Sequence, residues 1–273
     1  MNASPPNTTT ERAATRIEPQ SAGFLRDLSS VAYRALRAIP RDPAAVIPAL
    51  IIPLFFFVVN IGALESVAEG IGVADFRAFQ LPVAIVFAVT GISRASDLVT
   101  DISSGYFDRL LLTPMSRSAL LLGLMVADLV LVMALCVPVL ILGFFVGVEF
   151  ATGVSGVVAF VLIGGLWGLA FTGFPYAIAL RTGSPAAVNS SFLLFFPFAF
   201  LTTSFLPQEA LTGWLATIAD YNPITYLLAA LRSLLSEGWV WDELWPGLLA
   251  IVIVGAVSFT LAFGALRGRV SRG

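Results

Sequence analysis

Three aspartates with helical spacing are the residues of this sequence that could hold a metal ion. Asp97, Asp101 and Asp108 are spaced so that a helix would bring their carboxylates towards one face. Carboxylate oxygens are ligands that Mg²⁺ prefers, and such a trio at a membrane surface would suit an enzyme acting on lipid or isoprenoid substrates. Arg94 and Arg109 lie close by in the sequence. We therefore favour a charge-balanced loop over a metal site.

Two missing residue types exclude several kinds of catalytic chemistry. The chain has no histidine and no lysine, so all fifteen of its basic residues are arginine. Zinc motifs of the HExxH kind and Ser-His-Asp triads require histidine. Walker A loops and Schiff-base chemistry require lysine. The sequence therefore excludes these four kinds of chemistry.

Asp128 is the one acidic residue that lies well inside an apolar run. Ionisable groups at membrane depth are costly and commonly functional, which makes Asp128 a candidate functional residue. The alternative is an acid near the inner end of its helix, paired with Arg117 or another surface group. The sequence leaves both interpretations open.

Long apolar helices must position these residues. The chain of 273 residues is 58% hydrophobic and 12% charged, whereas soluble proteins are roughly 45–50% apolar and about 25% charged. A helix crosses a bilayer with about 20 apolar residues, and these runs are too long and too uniformly apolar for membrane strands. They predict an all-α integral membrane protein with six spans, at residues 46–64, 79–98, 119–145, 154–180, 188–206 and 245–266.

The arginines predict the orientation of these spans, because positive residues concentrate on the cytoplasmic side. With the N-terminus inside, only Arg77 and Arg232 fall in outer segments. Both ends are then cytoplasmic. Residues 1–23 are polar and are predicted to form a disordered cytoplasmic tail, while residues 24–273 form a single transmembrane domain. The net charge of −2 gives no reason to expect a nucleic acid partner.

An amphipathic helix is predicted over residues 24–41, just before the first span. Its apolar face would be formed by Leu25, Leu28, Ala32, Leu36 and Ile39. Its basic face would carry Arg26, Arg34, Arg37 and Arg41. Such a helix is suited to lie in the headgroup region of the inner membrane surface.

The inner loop after the second span mixes charge with large apolar residues. Tyr106, Phe107 and Leu110 share a helical neighbourhood with the charged Asp108 and Arg109. Thr113-Pro114 ends that helix, because a residue before proline leaves the α region. The pattern fits either an interaction element for another protein or a plain surface loop.

The outer segment 207–244 is not simply hydrophilic. Trp214 and Tyr226 each lie in an apolar stripe with helical spacing, and Asn222-Pro223 separates the stripes as a turn signal. Two short helices in, or dipping into, the outer leaflet fit this pattern. A packed extracellular cap is the alternative.

In this order, these features resemble the type-2 permease family of ABC transporters, close to drug efflux permease subunits of the daunorubicin-resistance type. The resemblance covers about residues 24–268 and rests on two motifs. The inner motif is Asp101, Gly105, Asp108, Arg109, Leu110, Leu111, Thr113, Pro114 and Arg117. The outer motif is Pro207, Trp214, Leu215, Asn222, Pro223, Thr225, Tyr226 and Arg232. The family's charged pair before Gly105 is replaced here by Ile102 and Ser103, and its early third-span lysine by Leu124.

The resemblance implies the membrane subunit of an exporter in a bacterial plasma membrane. ATP and Mg²⁺ would be bound by a separate cytoplasmic ABC ATPase, so this chain would not be an enzyme and would have no catalytic residues and no cofactor or metal of its own. A second permease subunit would form a homo- or heterodimer with this one. The inner loop, including Tyr106 and Phe107, would dock on the ATPase. An apolar cargo route would include Phe56, Phe195, Phe196 and Asp128. The cargo would be a hydrophobic drug, an antibiotic or a lipid.

Other classes stay open at this point. A secondary transporter or channel usually carries several intramembrane charges, and only Asp128 stands out here. An ABC exporter of a polysaccharide or lipid-linked glycan would share the same frame.

Overall fold

The computed structural model describes residues 23–41, 43–112 and 115–270, and every regular element in these ranges is helical. The predicted tail before Gly23, together with Thr113 and Pro114, lies outside the described residues. Eleven α-helices follow one another: α1 (Phe24–Ala38), α2 (Pro43–Gly70), α3 (Phe76–Thr90), α4 (Ala95–Ser103), α5 (Tyr106–Leu111), α6 (Arg117–Phe145), α7 (Gly153–Thr182), α8 (Pro185–Phe200), α9 (Gly213–Tyr221), α10 (Pro223–Ser236) and α11 (Trp241–Val270).

Within the described residues, five segments are long and apolar enough to cross a membrane. They are Val46–Gly70, Phe76–Ser103, Arg117–Phe145, Gly153–Thr182 and Trp241–Val270. These correspond to the first, second, third, fourth and sixth predicted spans. The predicted fifth span is α8, which has 16 residues and is therefore about 24 Å long. A helix is confirmed at each of the six predicted positions, but the predicted fifth span is wrong over residues 201–206, which are non-helical, and α8 is shorter than the usual bilayer crossing.

The second predicted span is not one continuous helix. α3 ends at Thr90, residues 91–94 are non-helical, and α4 begins at Ala95 and continues beyond the predicted end to Ser103. The sequence shows a reason for the break, since Gly91 and Ser93 are poor helix formers at this point. The break places the polar residues Ser93 and Arg94 just before the start of α4.

α3 forms the centre of the bundle. Every residue from Gln80 to Thr90 is buried, and α2, α6, α7 and α10 all contact this helix. The buried Trp167 of α7 donates its indole N–H to Thr90 Oγ1 over 3.1 Å, which fixes α7 beside the end of α3. α7 in turn packs along α11. Other helices therefore pack against α3 on nearly all sides, which keeps the break that follows it in a fixed position.

The amphipathic helix is present as α1, but its buried face differs from the predicted one. Asp27, Val31, Ala32 and Ala35 are buried, whereas Leu25 is 77% exposed. The reason is a tertiary contact, because α1 packs on α6. At Gly123 of α6, an added Cβ would lie only 2.7 Å from Val31 Cβ. The close approach of the two helices thus depends on the missing side chain at that position.

We expect Gly123→Ala to loosen α1 from α6. The new methyl group would also lie 2.9 Å from the Leu28 carbonyl oxygen, so backbone must shift, and overpacking of this kind costs about 1–3 kcal/mol. Gly264→Ala in α11 is the matched control, since nothing lies within 4 Å of its added Cβ. Thermal unfolding in detergent should show a lower Tm for Gly123→Ala and an unchanged or raised Tm for Gly264→Ala. Equal melting temperatures would contradict this packing.

Candidate functional site

Asp128 holds the break between α3 and α4. Its side chain is fully buried, and its Oδ1 accepts a hydrogen bond of 2.9 Å from the backbone N–H of Arg94. The Ser93 hydroxyl donates to Oδ2 over 3.2 Å. Arg94 is the N-cap residue of α4, and its own side chain makes no capping bond. A carboxylate from α6 therefore satisfies one of the free backbone donors at the start of α4, where negative charge is also favoured by the helix dipole.

Two of the three aspartates in the inner loop, Asp97 and Asp101, pair with different arginines. Asp97 forms an ion pair with Arg94 of the same turn, and Asp101 forms one with Arg34 of α1, with 2.8 Å between Nη2 and Oδ2. The side chain of Asp108 lies outside the described residues. Among the described side chains, the pairing of each carboxylate with a different arginine fits the charge-balanced loop that the sequence favoured.

The predicted loop helix is α5, preceded by a tight turn. Gly105 has a φ of 69° in the left-handed region, and its N–H bonds to the Ile102 carbonyl over 3.1 Å. Glycine adopts this conformation without steric cost. The turn sets α5 at an angle to α4, and we call Ala95–Leu111 the α4–α5 unit.

α5 has one buried side and one exposed side. Phe107 is 1% exposed and belongs to a buried cluster that also contains Val31 and Ala35 of α1 and Leu98 of α4. Tyr106 is 37% exposed, Arg109 is exposed, and Leu112 at the end of the helix is 88% exposed. Leu110 is half-buried and Arg117, at the start of α6, is exposed. The exposed side thus combines aromatic, cationic and aliphatic groups, a composition suited to contact with another protein.

Arg34 links α1 to the α4–α5 unit. Its guanidinium lies 4.9 Å from the centre of the Tyr106 ring in addition to the ion pair with Asp101. Partial burial alone would lower the pKa of the Arg34 guanidinium, but the hydrogen bond and the charge of Asp101 outweigh burial and raise that pKa. The sequence analysis placed Arg34 on a basic face directed towards lipid headgroups. In the structure it pairs instead with Asp101.

The remaining predicted arginines of α1 are placed differently. Arg26 and Arg37 are exposed, and Arg37 lies over the Tyr33 ring at 4.4 Å. The side chain of Arg41 lies outside the described residues. Asp27, which the sequence did not single out, reaches the start of α6 and accepts a bond of 3.2 Å from the Ser116 N–H. α1 thus contacts both the α4–α5 unit and the helix that follows it.

The outer segment contains the two predicted helices, α9 and α10. Asn222 begins α10: its Oδ1 accepts from the Ile224 N–H at 3.0 Å, while its Nδ2 donates to the carbonyls of Phe198 and Leu201 at 2.7 and 2.9 Å. Thr225 is buried in the first turn of α10. The predicted turn at Asn222-Pro223 is therefore also the joint between the end of α8 and the start of α10.

Arg232 ties α10 to two other elements. Its Nε donates to the Phe79 carbonyl over 3.1 Å, and its Nη2 donates to the Thr203 carbonyl over 2.8 Å. The guanidinium also lies 3.4 Å from the centre of the Phe79 ring. Among the described residues, no carboxylate pairs with Arg232. Oxygen dipoles and an aromatic face stabilise this cation instead.

The other outer residues lie at the surface. Trp214 is 69% exposed, Tyr226 is 40% exposed and donates to the Asp220 carbonyl over 2.5 Å, and Pro207 precedes a single 3₁₀ turn. α10 itself is buried against α3, α7 and α11. The segment therefore has one exposed helix, α9, and one helix that inserts into the bundle.

Three of the predicted cargo-route phenylalanines meet around a residue that the sequence analysis missed. The ring of Phe87 in α3 lies 6.3 Å from Phe56, 5.5 Å from Phe195 and 5.8 Å from Phe196, centre to centre. Phe195 is fully buried, whereas Phe56 is 37% exposed. Asp128 does not join this cluster, because it is directed to the break in the second span. No sequence signal distinguished Phe87 from the many other phenylalanines in the apolar runs.

We expect Asp128 to stabilise the break as a hydrogen-bond acceptor for the backbone N–H of Arg94, and not through its negative charge. Asp128→Asn keeps an oxygen that accepts from the Arg94 N–H, whereas Asp128→Leu leaves that buried donor unpaired, which costs about 1–3 kcal/mol. The Leu variant should show a lower Tm and faster hydrogen exchange over Arg94–Leu98, with Asn close to wild type. If Asn is as damaged as Leu, the negative charge itself is required.

Comparison with known proteins agrees with this architecture. The chain is 27% identical over 234 residues to the daunorubicin resistance ABC transporter permease protein DrrB1 of Streptomyces coeruleorubidus, covering 83% of this chain and 80% of the relative. It is 25% identical over 207 residues to a Mycobacterium tuberculosis protein named "Probable doxorubicin resistance ABC transporter permease protein DrrC", covering 75% of each. Residues 26–236 match the ABC-2 type transporter family. This chain is therefore a multi-pass membrane protein of the ABC-2 type transporter family.

Proposed function

We propose that this chain is the membrane-spanning subunit of an ATP-driven exporter that moves a hydrophobic drug, an antibiotic or a lipid out of the cell. A separate cytoplasmic ABC ATPase would bind ATP and Mg²⁺. The observation that carries the proposal is the α4–α5 unit, which is anchored to the bundle through Phe107 and presents Tyr106, Arg109 and Leu112 to solvent.

The proposed topology has six crossings with both ends in the cytoplasm. α8 would make the fifth crossing together with the irregular residues 201–206, and α9 and α10 would return into the outer leaflet. Four tryptophans near the ends of these elements support this arrangement, because tryptophan is enriched at membrane interfaces. They are exposed in the structure: Trp214, Trp239, Trp241 and Trp245.

A second permease subunit would cover α2 and α8. One side of α2 is largely exposed, including Ile47 (52%), Ile51 (56%) and Phe55 (62%). On α8, Leu193 and Phe198 are 66% and 59% exposed. An apolar face of this extent suits either lipid or a partner helix. A homodimer or a heterodimer would each place the Phe56–Phe87 cluster close to the subunit boundary.

In the proposed mechanism, ATP-driven closure of the ATPase pulls on α5. Such coupling requires contacts that differ between two states, not mere proximity. The α4–α5 unit has the rigid connections that this demands: α4 continues from α3 across the break held by Asp128, and Arg34 connects it to α1. A displacement of α5 would therefore be passed to the centre of the bundle.

The direct test is assembly with the ABC ATPase expected in the neighbouring gene, using Gly105→Pro. Proline fixes φ near −65° and has no N–H, so it is incompatible with the φ of 69° and the bond to Ile102. Gly183→Pro is the matched control, because Gly183 is also left-handed (φ 61°) and bonds through its N–H to Ala179, but lies between α7 and α8. Both proteins are purified with the ATPase in lipid nanodiscs.

We expect a stable wild-type complex, at least a tenfold loss of assembly or of coupled ATP hydrolysis in Gly105→Pro, and retention of both in Gly183→Pro. If Gly105→Pro assembles and hydrolyses ATP like wild type, α5 is ordinary surface. If no ATPase associates with any form, a secondary transporter becomes the function to test.

A further inference from the structure

A cavity of about 530 Å³ lies beside the break in the second span. Its walls come from the first half of α2, the end of α3, the start of α4, and parts of α6, α7 and α8. Ligand sites in proteins usually have volumes of about 300–1,000 Å³, so a drug-sized molecule would fit. In the proposed orientation the cavity lies in the cytoplasmic half of the membrane.

One wall of the cavity is polar because the helix is broken there. Ser93, Arg94 and Asp97 line it, together with Asn189 of α8. Arg94 is 8% exposed and pairs with Asp97, so this wall has donors and acceptors without a net charge from that pair. Ser96 donates to Asn189 Oδ1 over 3.2 Å, which joins α4 to α8 at this wall.

The other wall is apolar and aromatic. Phe87, Phe171 and Phe192 contribute rings, while Ile52 and Pro53 of α2 complete the surface. α2 borders the cavity with the small residue Ala49, and it is the least buried of the candidate spans. The space between α2 and α8 is therefore the side on which a molecule could enter without displacing the core.

We infer that this cavity is the first cargo site, and that it binds an amphipathic molecule with an apolar body and a hydrogen-bonding polar head. The inference rests on the proposed export function and specifies its substrate class. The head lies at Ser93, Arg94 and Asn189, and the body lies against Phe87 and Phe192. A drug or a membrane lipid could supply this chemistry.

Ala49→Trp tests the cavity by filling it from α2. Val252→Trp in α11 is the size-matched control, since Val252 is 64% exposed, does not line the cavity and lies outside the proposed subunit boundary. Equilibrium binding of daunorubicin, followed by its fluorescence, is measured on the permease–ATPase complex in phosphatidylethanolamine–phosphatidylglycerol nanodiscs without ATP. Size-exclusion chromatography checks assembly of each variant. Asn189→Leu, at an exposed position, provides a second variant that alters only the polar wall.

We expect Ala49→Trp to weaken daunorubicin binding at least tenfold, Asn189→Leu to weaken it severalfold, and Val252→Trp to leave it unchanged. If the wild-type complex binds no daunorubicin, the second measurement is mass spectrometry of the lipids that co-purify with each variant. Loss of a specific phospholipid in Ala49→Trp alone then supports the cavity with lipid as the cargo.

The inference is overturned if daunorubicin affinity and lipid content are the same in Ala49→Trp and wild type while the complex stays assembled. That result leaves the proposed export function intact, because it depends on the α4–α5 unit and not on this cavity. Conversely, a cavity that binds daunorubicin in a chain that never recruits an ATPase would support the site and refute the ATP-driven mechanism.

Discussion

The hydrogen bond from the Arg94 N–H to the buried Asp128 carboxylate is the interaction on which the functional half of this molecule depends. It allows a helix to end and a new one to begin inside an apolar bundle, where an unpaired backbone donor would be costly. The break it stabilises sets the direction of α4 and so the position of α5. The same break supplies the polar wall of the cavity between α2 and α8. A single intramembrane acid thus supports both the proposed docking surface and the proposed cargo site.

The α4–α5 unit is connected to the bundle on several sides. Phe107 belongs to a buried cluster to which α1, α4, α6, α7 and α11 contribute, and the guanidinium of Arg269, near the end of α11, lies 6.0 Å from the Phe107 ring. Arg34 adds an ion pair that is partly exposed and therefore contributes modestly, about 0–1 kcal/mol. The burial of Phe107 accordingly stabilises this arrangement more than the ion pair does, and Arg34 serves mainly to fix the orientation of α1.

The sequence predicted the features that depend on local pattern. Apolar runs indicated the long helices, Asn222-Pro223 indicated the joint before α10, and the amphipathic stretch indicated α1. It could not predict features that depend on tertiary contact. The break after Thr90 is held by a side chain 34 residues away, and the buried face of α1 is set by its approach to Gly123. The position of Phe87 at the centre of the aromatic cluster could not be predicted, because Phe87 lies in an apolar run whose pattern does not distinguish it from its neighbours.

The central claim is that α5 is the surface on which an ATPase docks. Hydrogen–deuterium exchange of the chain in nanodiscs, with and without the partner ATPase, tests it most directly. The account predicts slower exchange on binding over residues 104–112, with little change in the loop at residues 182–184. Unchanged exchange over 104–112, with protection appearing elsewhere, would contradict it.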